Sequence, residues 1–214
     1  WEVHMRDIAR HYDQRYSENP NLFGDPLPIV VQALSYPDLY PARGKVLDAG
    51  AGCGRHAVFF AENGFGVEAV DVSEVGLEVI RKRAAERNLP IQVRLADLVT
   101  EGVKDWYQAV ITTFVYYCLP AEQGFKLLRE IQAHTCTNGL NIVAAWLDCG
   151  DLWELPGASD CCFFSEGELR SLWYGDWQIL QYEEGWRRLV EKKPDGMSAW
   201  NMYAYLIARK PPGV

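Results

Sequence analysis

Lys45-Val46-Leu47-Asp48-Ala49-Gly50-Ala51-Gly52-Cys53-Gly54-Arg55-His56 is the stretch that decides the fold. A short apolar run, Val46-Leu47, leads to an acid and then to glycines at alternate positions. A helix-like run from Arg55 to Asn63 follows. This reads as strand, tight turn and helix, the opening unit of a doubly wound α/β domain. Glycine permits a sharp backbone turn, or the approach of a ligand where a Cβ would collide. The turn ends at a helix N-terminus, whose free N–H groups favour a negative ligand group.

The glycine spacing bears on the ligand. A dinucleotide fingerprint is G-x-G-x-x-G, whereas this turn is G-x-G-x-G with Arg55 in place of the third dinucleotide glycine. That argues against a nicotinamide dehydrogenase. An acid, Asp48, stands two residues before Gly50. A ligand with both an ammonium and a carboxylate, such as S-adenosylmethionine (SAM), would use both the acid and the helix end. Alone, the turn is also compatible with a strand–helix connection that binds nothing.

Acids downstream strengthen the ligand reading. Residues 66–70 read as the second strand, ending at Asp71. That is the separation expected for a carboxylate gripping ribose hydroxyls. Residues 91–95 read as the third strand, followed by Ala96-Asp97-Leu98, and Asp97 could accept from an adenine amino group. Each acid taken singly also fits a solvated loop or a helix cap.

The segments VLDAGAGCGRH (46–56), VEAVDVS (67–73) and RLADL (94–98) resemble the SAM-binding motifs of class I methyltransferases. GLNIVAAWLD (139–148), FFSEGELRSLW (163–173) and AYLIARK (204–210) resemble the tellurite-resistance (TehB-like) branch. The resemblance covers roughly residues 10–210. It implies a mainly parallel seven-stranded sheet of order 3-2-1-4-5-7-6 with the last strand antiparallel, and SAM as cofactor. The implied cofactor site takes in Tyr16, Asp48, Gly50, Ala51, Gly52, Cys53, Arg55, Asp71, Val72, Ala96, Asp97, Leu98, Thr113 and Phe114. The substrate pocket is expected to use Tyr12, Tyr116, Tyr117, Trp146 and Asp148. Tellurite-type members, by the same resemblance, carry a His-Arg pair in the penultimate strand and an Arg in the last hairpin. Here Val190, Glu191 and Ser198 occupy those positions. A basic oxyanion site would then depend on Arg187, Arg188, Lys192 or Lys193, and Trp186 and Trp200 nearby suggest an organic or larger substrate.

The 214 residues suit one domain, 1–214, with a sizeable core. A hydrophobic share of 49% and a charged share of 23% match a globular chain. No apolar run approaches the ~20 residues of a membrane span, and nothing resembles a signal peptide. The sequence opens on Trp1 rather than Met, which suggests residues before it. A net charge of −8 argues against a nucleic-acid partner, which needs a basic face. Of the cysteines at 53, 118, 136, 149, 161 and 162, none forms C-x-x-C. They read as reduced, mostly buried thiols of a cytoplasmic protein. Cys149 with Cys161-Cys162 is a weak soft-metal pattern, and no metal site is expected.

Residues 4–18 read as a partly amphipathic helix with Tyr12 and Tyr16 on one face. Within an N-terminal extension of residues 1–40 they are expected to form a lid, as the family places such a segment over the methionine end of SAM. Strands and helices alternate from Lys45. A helix is expected from Ala121 to Cys136, stopped at Asn138-Gly139, then a strand over 140–146. Ser165 should cap a helix running to Trp173 with Glu168 in the capping-box position. Strands near 176–190 and 199–209 follow, joined by a Pro194-Asp195-Gly196 turn. Substrate should approach from the ends of the fourth and fifth strands. A thiol or other chalcogen acceptor needs little base help. An oxygen or nitrogen acceptor of a small aromatic metabolite would call on Asp148 or His11, and a module that holds SAM without methyl transfer is the further alternative. No catalytic residue and no oligomeric state are assigned.

Overall fold

The computed structural model describes residues 2–36, 44–155 and 157–213. Helix α1 (Glu2–Glu18) and α2 (Pro28–Ala33) precede the sheet. Then come β1 (Val46–Ala49), α3 (Arg55–Glu62), β2 (Val67–Asp71), α4 (Glu74–Arg87), β3 (Ile91–Leu95), α5 (Leu98–Glu101) and β4 (Tyr107–Thr113). Helix α6 (Ala121–Ala133), β5 (Thr135–Gly150), β6 (Gln178–Lys192) and β7 (Ser198–Arg209) complete the chain. The strand order is β3-β2-β1-β4-β5-β7-β6. Strands β1 to β5 run parallel, and β7 is antiparallel to both β5 and β6. This is the sheet that the methyltransferase resemblance implies.

Every residue of β1 is buried, as befits a central parallel strand covered on both faces. Alternate side chains feed two cores. Leu47, Ala49, Val110 and Val143 pack with Leu127, Leu128 and Ile131 of α6. Val46, Val67, Ala109 and Ile142 pack with Phe60 of α3, Leu77 and Ile80 of α4, and Ile29 and Val30 of α2. Strand β1 pairs with β2 on one side and β4 on the other, so the chain winds outward from it in both directions. The crevice at the carboxyl end of β1 is therefore the switch point where ligands bind in such sheets.

Two boundaries differ from the sequence reading. Helix α6 stops at Ala133 and not at Cys136. Thr135 already pairs with Tyr107, and its Oγ1 donates to the Ile131 carbonyl at 2.7 Å, turning the chain into β5. Asn138 (φ 63) is consequently a left-handed kink inside a long strand and does not end a helix. The region after Ser165 is a wide π-type turn, Leu169–Trp173, in place of a regular helix. Half of the expected capping box is present, since the Ser165 N–H donates to Glu168 Oε2 at 2.7 Å. The Pro194-Asp195-Gly196 turn forms as expected: the Gly196 N–H donates to the Lys193 carbonyl at 2.8 Å, and the Met197 N–H to Asp195 Oδ1 at 2.9 Å.

Candidate functional site

A cleft of about 650 Å³ opens at the carboxyl ends of β1, β2 and β4 and is roofed by α1. Its size is in the range of small-molecule sites. The floor is the glycine turn. Gly50 has φ 73, and a Cβ there would lie 2.4 Å from Val115 Cγ2. Gly52 has φ 54, and a Cβ there would lie 2.5 Å from Tyr16 Oη. Both the dihedrals and the space exclude a larger residue. Gly50, Ala51, Gly52, Cys53 and Arg55 line the cleft.

Asp48 is placed differently from the expectation. It is not among the lining residues; it is 1% exposed, and its Oδ2 accepts the Ala57 N–H at 2.9 Å in the first turn of α3. The acid thus anchors the helix N-terminus to the strand. Burial pushes its carboxyl up to about 7, against the lowering effects of the Ala57 N–H and Arg55.

Asp71 does line the cleft, with Val72 beside it. Its Oδ2 accepts the Gly52 N–H and its Oδ1 the Ser73 N–H, each at 2.8 Å. Burial raises its pKa, and those N–H donors oppose the rise. Ionised carboxylate has about four acceptor positions, so hydrogen-bonding capacity remains on the cleft side. Asp97, flanked by Ala96 and Leu98, lines the same wall and caps α5, accepting from the Val99 N–H at 2.9 Å.

The opposite wall is aromatic. Phe114 follows β4 with φ 55, rare for a residue with a side chain. Its ring stacks on Trp146, with centroids 4.1 Å apart. Thr113, Phe114, Trp146 and Tyr117 line the cleft. Two expected wall residues do not. Tyr116 begins a tight 3-10 turn, Tyr116–Cys118, which swings it into the core; it is 1% exposed and donates to Thr112 Oγ1 at 3.2 Å. Asp148 lies within a register shift of β5 between Trp146 and Gly150, and it accepts from Ser165 Oγ at 2.7 Å instead of lining the cleft.

The roof comes from α1. Tyr12 and Tyr16 stack at 5.6 Å, and both line the cleft with His11 and Arg15. Tyr12 and Tyr117 share a hydroxyl–hydroxyl hydrogen bond of 2.9 Å. Asp13 Oδ1 accepts from Ser73 Oγ at 2.6 Å and from the Val75 N–H at 3.2 Å, so α1 is tied to the start of α4.

Several lining residues carried no signal in the sequence. His56 is 3% exposed; its Nε2 accepts the Leu27 N–H at 3.3 Å, so Nδ1 holds the proton and donates to Thr113 Oγ1 at 3.4 Å. Burial and then Arg55 push its pKa well below 6.5, so it is a neutral positioning group. Cys118 also lines the cleft, as does Cys53, which the resemblance had placed there, and burial pushes each thiol up to about 11. Neither is a thiolate near neutral pH. Among the described residues, no group of three or more His, Cys, Asp or Glu could hold a metal ion. Arg187 and Arg188 on β6 reach the cleft, while Lys193 is paired with Asp151 at 2.6 Å.

This arrangement can hold an elongated ligand between two acids on one side and aromatic rings on the other, beneath a helix. Hemagglutinin 1 of Eikenella corrodens is 30% identical over 168 residues, covering 78% of this chain and 55% of that protein. A probable S-adenosyl-L-methionine-dependent methyltransferase TehB of Haemophilus influenzae (strain 10810) is 28% identical over 167 residues, covering 78% of this chain and 57% of that protein. The crystal structure of TehB from Haemophilus influenzae superposes with a TM-score of 0.77 at 25% identity, covering 93% of this chain and 67% of that one. The chain spans little more than half the length of the curated relatives it matches. The family described as tellurite resistance protein TehB matches residues 37–202, most of the sequence, and the chain belongs to that family.

Proposed function

We propose that the chain is a SAM-dependent methyltransferase acting on a small molecule, with a thiol or other chalcogen atom as methyl acceptor. The observation that carries the reading is the meeting, in one cleft, of the G-x-G-x-G turn with Asp71 and Asp97 in a chain of the TehB family. Bound SAM supplies a methyl group already activated on a sulfonium sulfur. The turn at Gly50 to Cys53 leaves room for the cofactor backbone. Asp71 would accept from ribose hydroxyls, and Asp97, with Val72, Ala96 and Leu98, would hold the adenine. Tyr16, Arg55, Thr113 and Phe114 would border the methionine portion. Asp48 would act through α3 and not by contact.

The protein's share of such a displacement is to align the acceptor and exclude water. Tyr12 and Tyr16 exclude water from above, and Phe114, Tyr117 and Trp146 form the acceptor wall. Asp148 is outside the cleft and His56 is engaged through both ring nitrogens. That shortage of free bases supports an acceptor whose own anion is accessible near neutral pH. His11 remains as a base for an oxygen or nitrogen acceptor. We further propose that α1 is a lid and that 1–214 acts as one domain. Acidic charge and six free thiols support a cytoplasmic protein without a nucleic-acid partner. Among the described residues, no helix is long and apolar enough to cross a membrane.

The test is a methyl-transfer screen with labelled SAM across thiols, selenite, tellurite, phenols and amines, beside calorimetry with SAM and NADH. Transfer to thiols is the expected result. Transfer to phenols or amines alone would move the acceptor class. NADH binding without SAM binding would overturn the assignment.

A further inference from the structure

Cationic side chains enter the cleft from four elements: Arg15 on α1, Arg55 at the start of α3, Arg83 on α4, and Arg187 and Arg188 on β6. Arg187 Nη1 donates to Tyr205 Oη at 3.1 Å. The Tyr205 ring lies 6.3 Å from Phe114, which stacks on Trp146, so this guanidinium stands beside the aromatic wall. Arg55 donates to the carbonyl of Phe23 at 2.8 Å and more weakly to that of Asp25. Among the described residues neither Arg55 nor Arg187 has a carboxylate within the 4.0 Å of an ion pair. Glu183, on the same strand, accepts instead from Tyr203 Oη at 2.8 Å.

This local positive excess runs against the chain's net charge of −8. Burial lowers the Arg55 pKa; buried Asp48 offsets part of this, and the like charge of Arg187 adds to it. Desolvated charges without an opposite partner are costly, and an anion that supplies the partner is held by charge-assisted, often bidentate, hydrogen bonds. Arg187 is positioned for this by Tyr205, whose hydroxyl oxygen takes one of its donors and leaves the rest of the planar fork available.

We propose that Arg187, supported by Arg55 and positioned by Tyr205, binds an anionic group of the methyl acceptor, while Phe114 and Trp146 hold its flat organic body. The acceptor is then a planar organic carboxylate that bears the methyl-accepting atom. This rests on the methyltransferase reading. The carboxylate of the cofactor's methionine portion has the same chemistry as the acceptor's, and a bare oxyanion shares the charge without the organic body. The test separates all three.

S-adenosylhomocysteine is titrated into the wild type, Arg187→Met and Arg187→Lys. Benzoate is then titrated into each saturated complex. KM is measured with 2-mercaptobenzoate and with its neutral methyl ester. The expected results are benzoate binding to the wild-type complex and a KM for the acid about tenfold or more below that of the ester, the scale of a hydrogen bond to a charged group. Arg187→Met abolishes benzoate binding and the preference for the acid, with the ester's KM and the S-adenosylhomocysteine affinity within about twofold of wild type. Arg187→Lys restores part of the preference. Absence of benzoate binding to the wild-type complex, or an equal KM for acid and ester, overturns the proposal. Loss of S-adenosylhomocysteine affinity in Arg187→Met with the acid preference intact overturns it in favour of the cofactor carboxylate. Sodium tellurite displacing benzoate as effectively as 2-mercaptobenzoate overturns the requirement for an organic body. Failure of the wild type to bind S-adenosylhomocysteine at all would reject the methyltransferase reading instead.

Discussion

The Asp71 carboxylate holds the glycine turn in place: its Oδ2 accepts the Gly52 N–H at 2.8 Å, across the tips of two adjacent strands. The other oxygen accepts the Ser73 N–H, and Ser73 in turn caps α4 and donates to Asp13 of α1. One acid therefore connects the floor of the cleft, its side wall and its roof. Tyr16 Oη, packed over Gly52, completes the enclosure.

Replacement of Asp71 should weaken cofactor binding. Asp71→Ala removes a ribose partner and frees the Gly52 N–H, and the expected loss is about 1–3 kcal/mol, the scale of stranding polar groups in a desolvated site. Asp71→Asn keeps one acceptor for the Gly52 N–H and should retain the turn while still losing affinity. Calorimetry with SAM, beside a melting curve, checks both. An unchanged dissociation constant in a folded variant removes Asp71 from the site.

The sheet was legible because its signals are local. Val46-Leu47 before alternate glycines, and acids where β2 and β3 end, mark strand tips whatever packs around them. What escaped depends on contacts distant in sequence or on a single turn. Tyr116 and Tyr117 are adjacent and look alike, yet a 3-10 turn sends one to the core and the other to the cleft. Asp148 shares the parity of Trp146, and only the bulge in β5 turns it away. His56 is fixed by the backbone of Leu27, to which nothing near it in sequence points. The end of α6 was misplaced because helix-forming residues run up to Ala133, whereas Thr135 is recruited by β4.

Asp48 should make stability depend on pH. An ordinary aspartate titrates near 3.8 and this one near 7. Between those values the folded chain holds a proton that the unfolded chain releases, so its contribution is full below the lower value and lost as pH rises through the upper. The effect of about three pKa units is at most about 4 kcal/mol. Glu68 works in the opposite direction: burial alone would raise its pKa, but hydrogen bonds from Lys45, Arg94 and Tyr107 lower it, so its contribution is lost as pH falls. Comparison with Asp48→Asn isolates the first term, since the amide oxygen can still accept the Ala57 N–H. Denaturant titrations should show the wild type losing stability relative to the variant as pH rises from about 4 to about 7, with the difference level above that. Parallel curves would show that Asp48 is charged throughout.

The remaining prediction concerns α1. It contributes no strand to the sheet, and polar contacts hold it at defined points: Asp13 on Ser73 and Val75, and Tyr12 on Tyr117. Tyr16, 5% exposed, is the apolar anchor. Segments held mainly by such contacts open locally at low cost. If α1 closes over the cofactor, closure excludes water from the reacting centre and should be strengthened by ligand. Amides across residues 4–18 should then exchange quickly in the free protein and slowly with SAM. Asp13→Ala, which removes a charge-assisted tie of about 1.5–3 kcal/mol, should speed exchange in α1 while leaving α3 and α6 protected. Tyr16→Ala should lower turnover with little change in melting temperature. A fixed, structural α1 predicts the reverse: a lower melting temperature for Tyr16→Ala, and equal protection with and without SAM. Hydrogen exchange on the two states decides between them, because identical protection across residues 4–18 is incompatible with a ligand-closed lid.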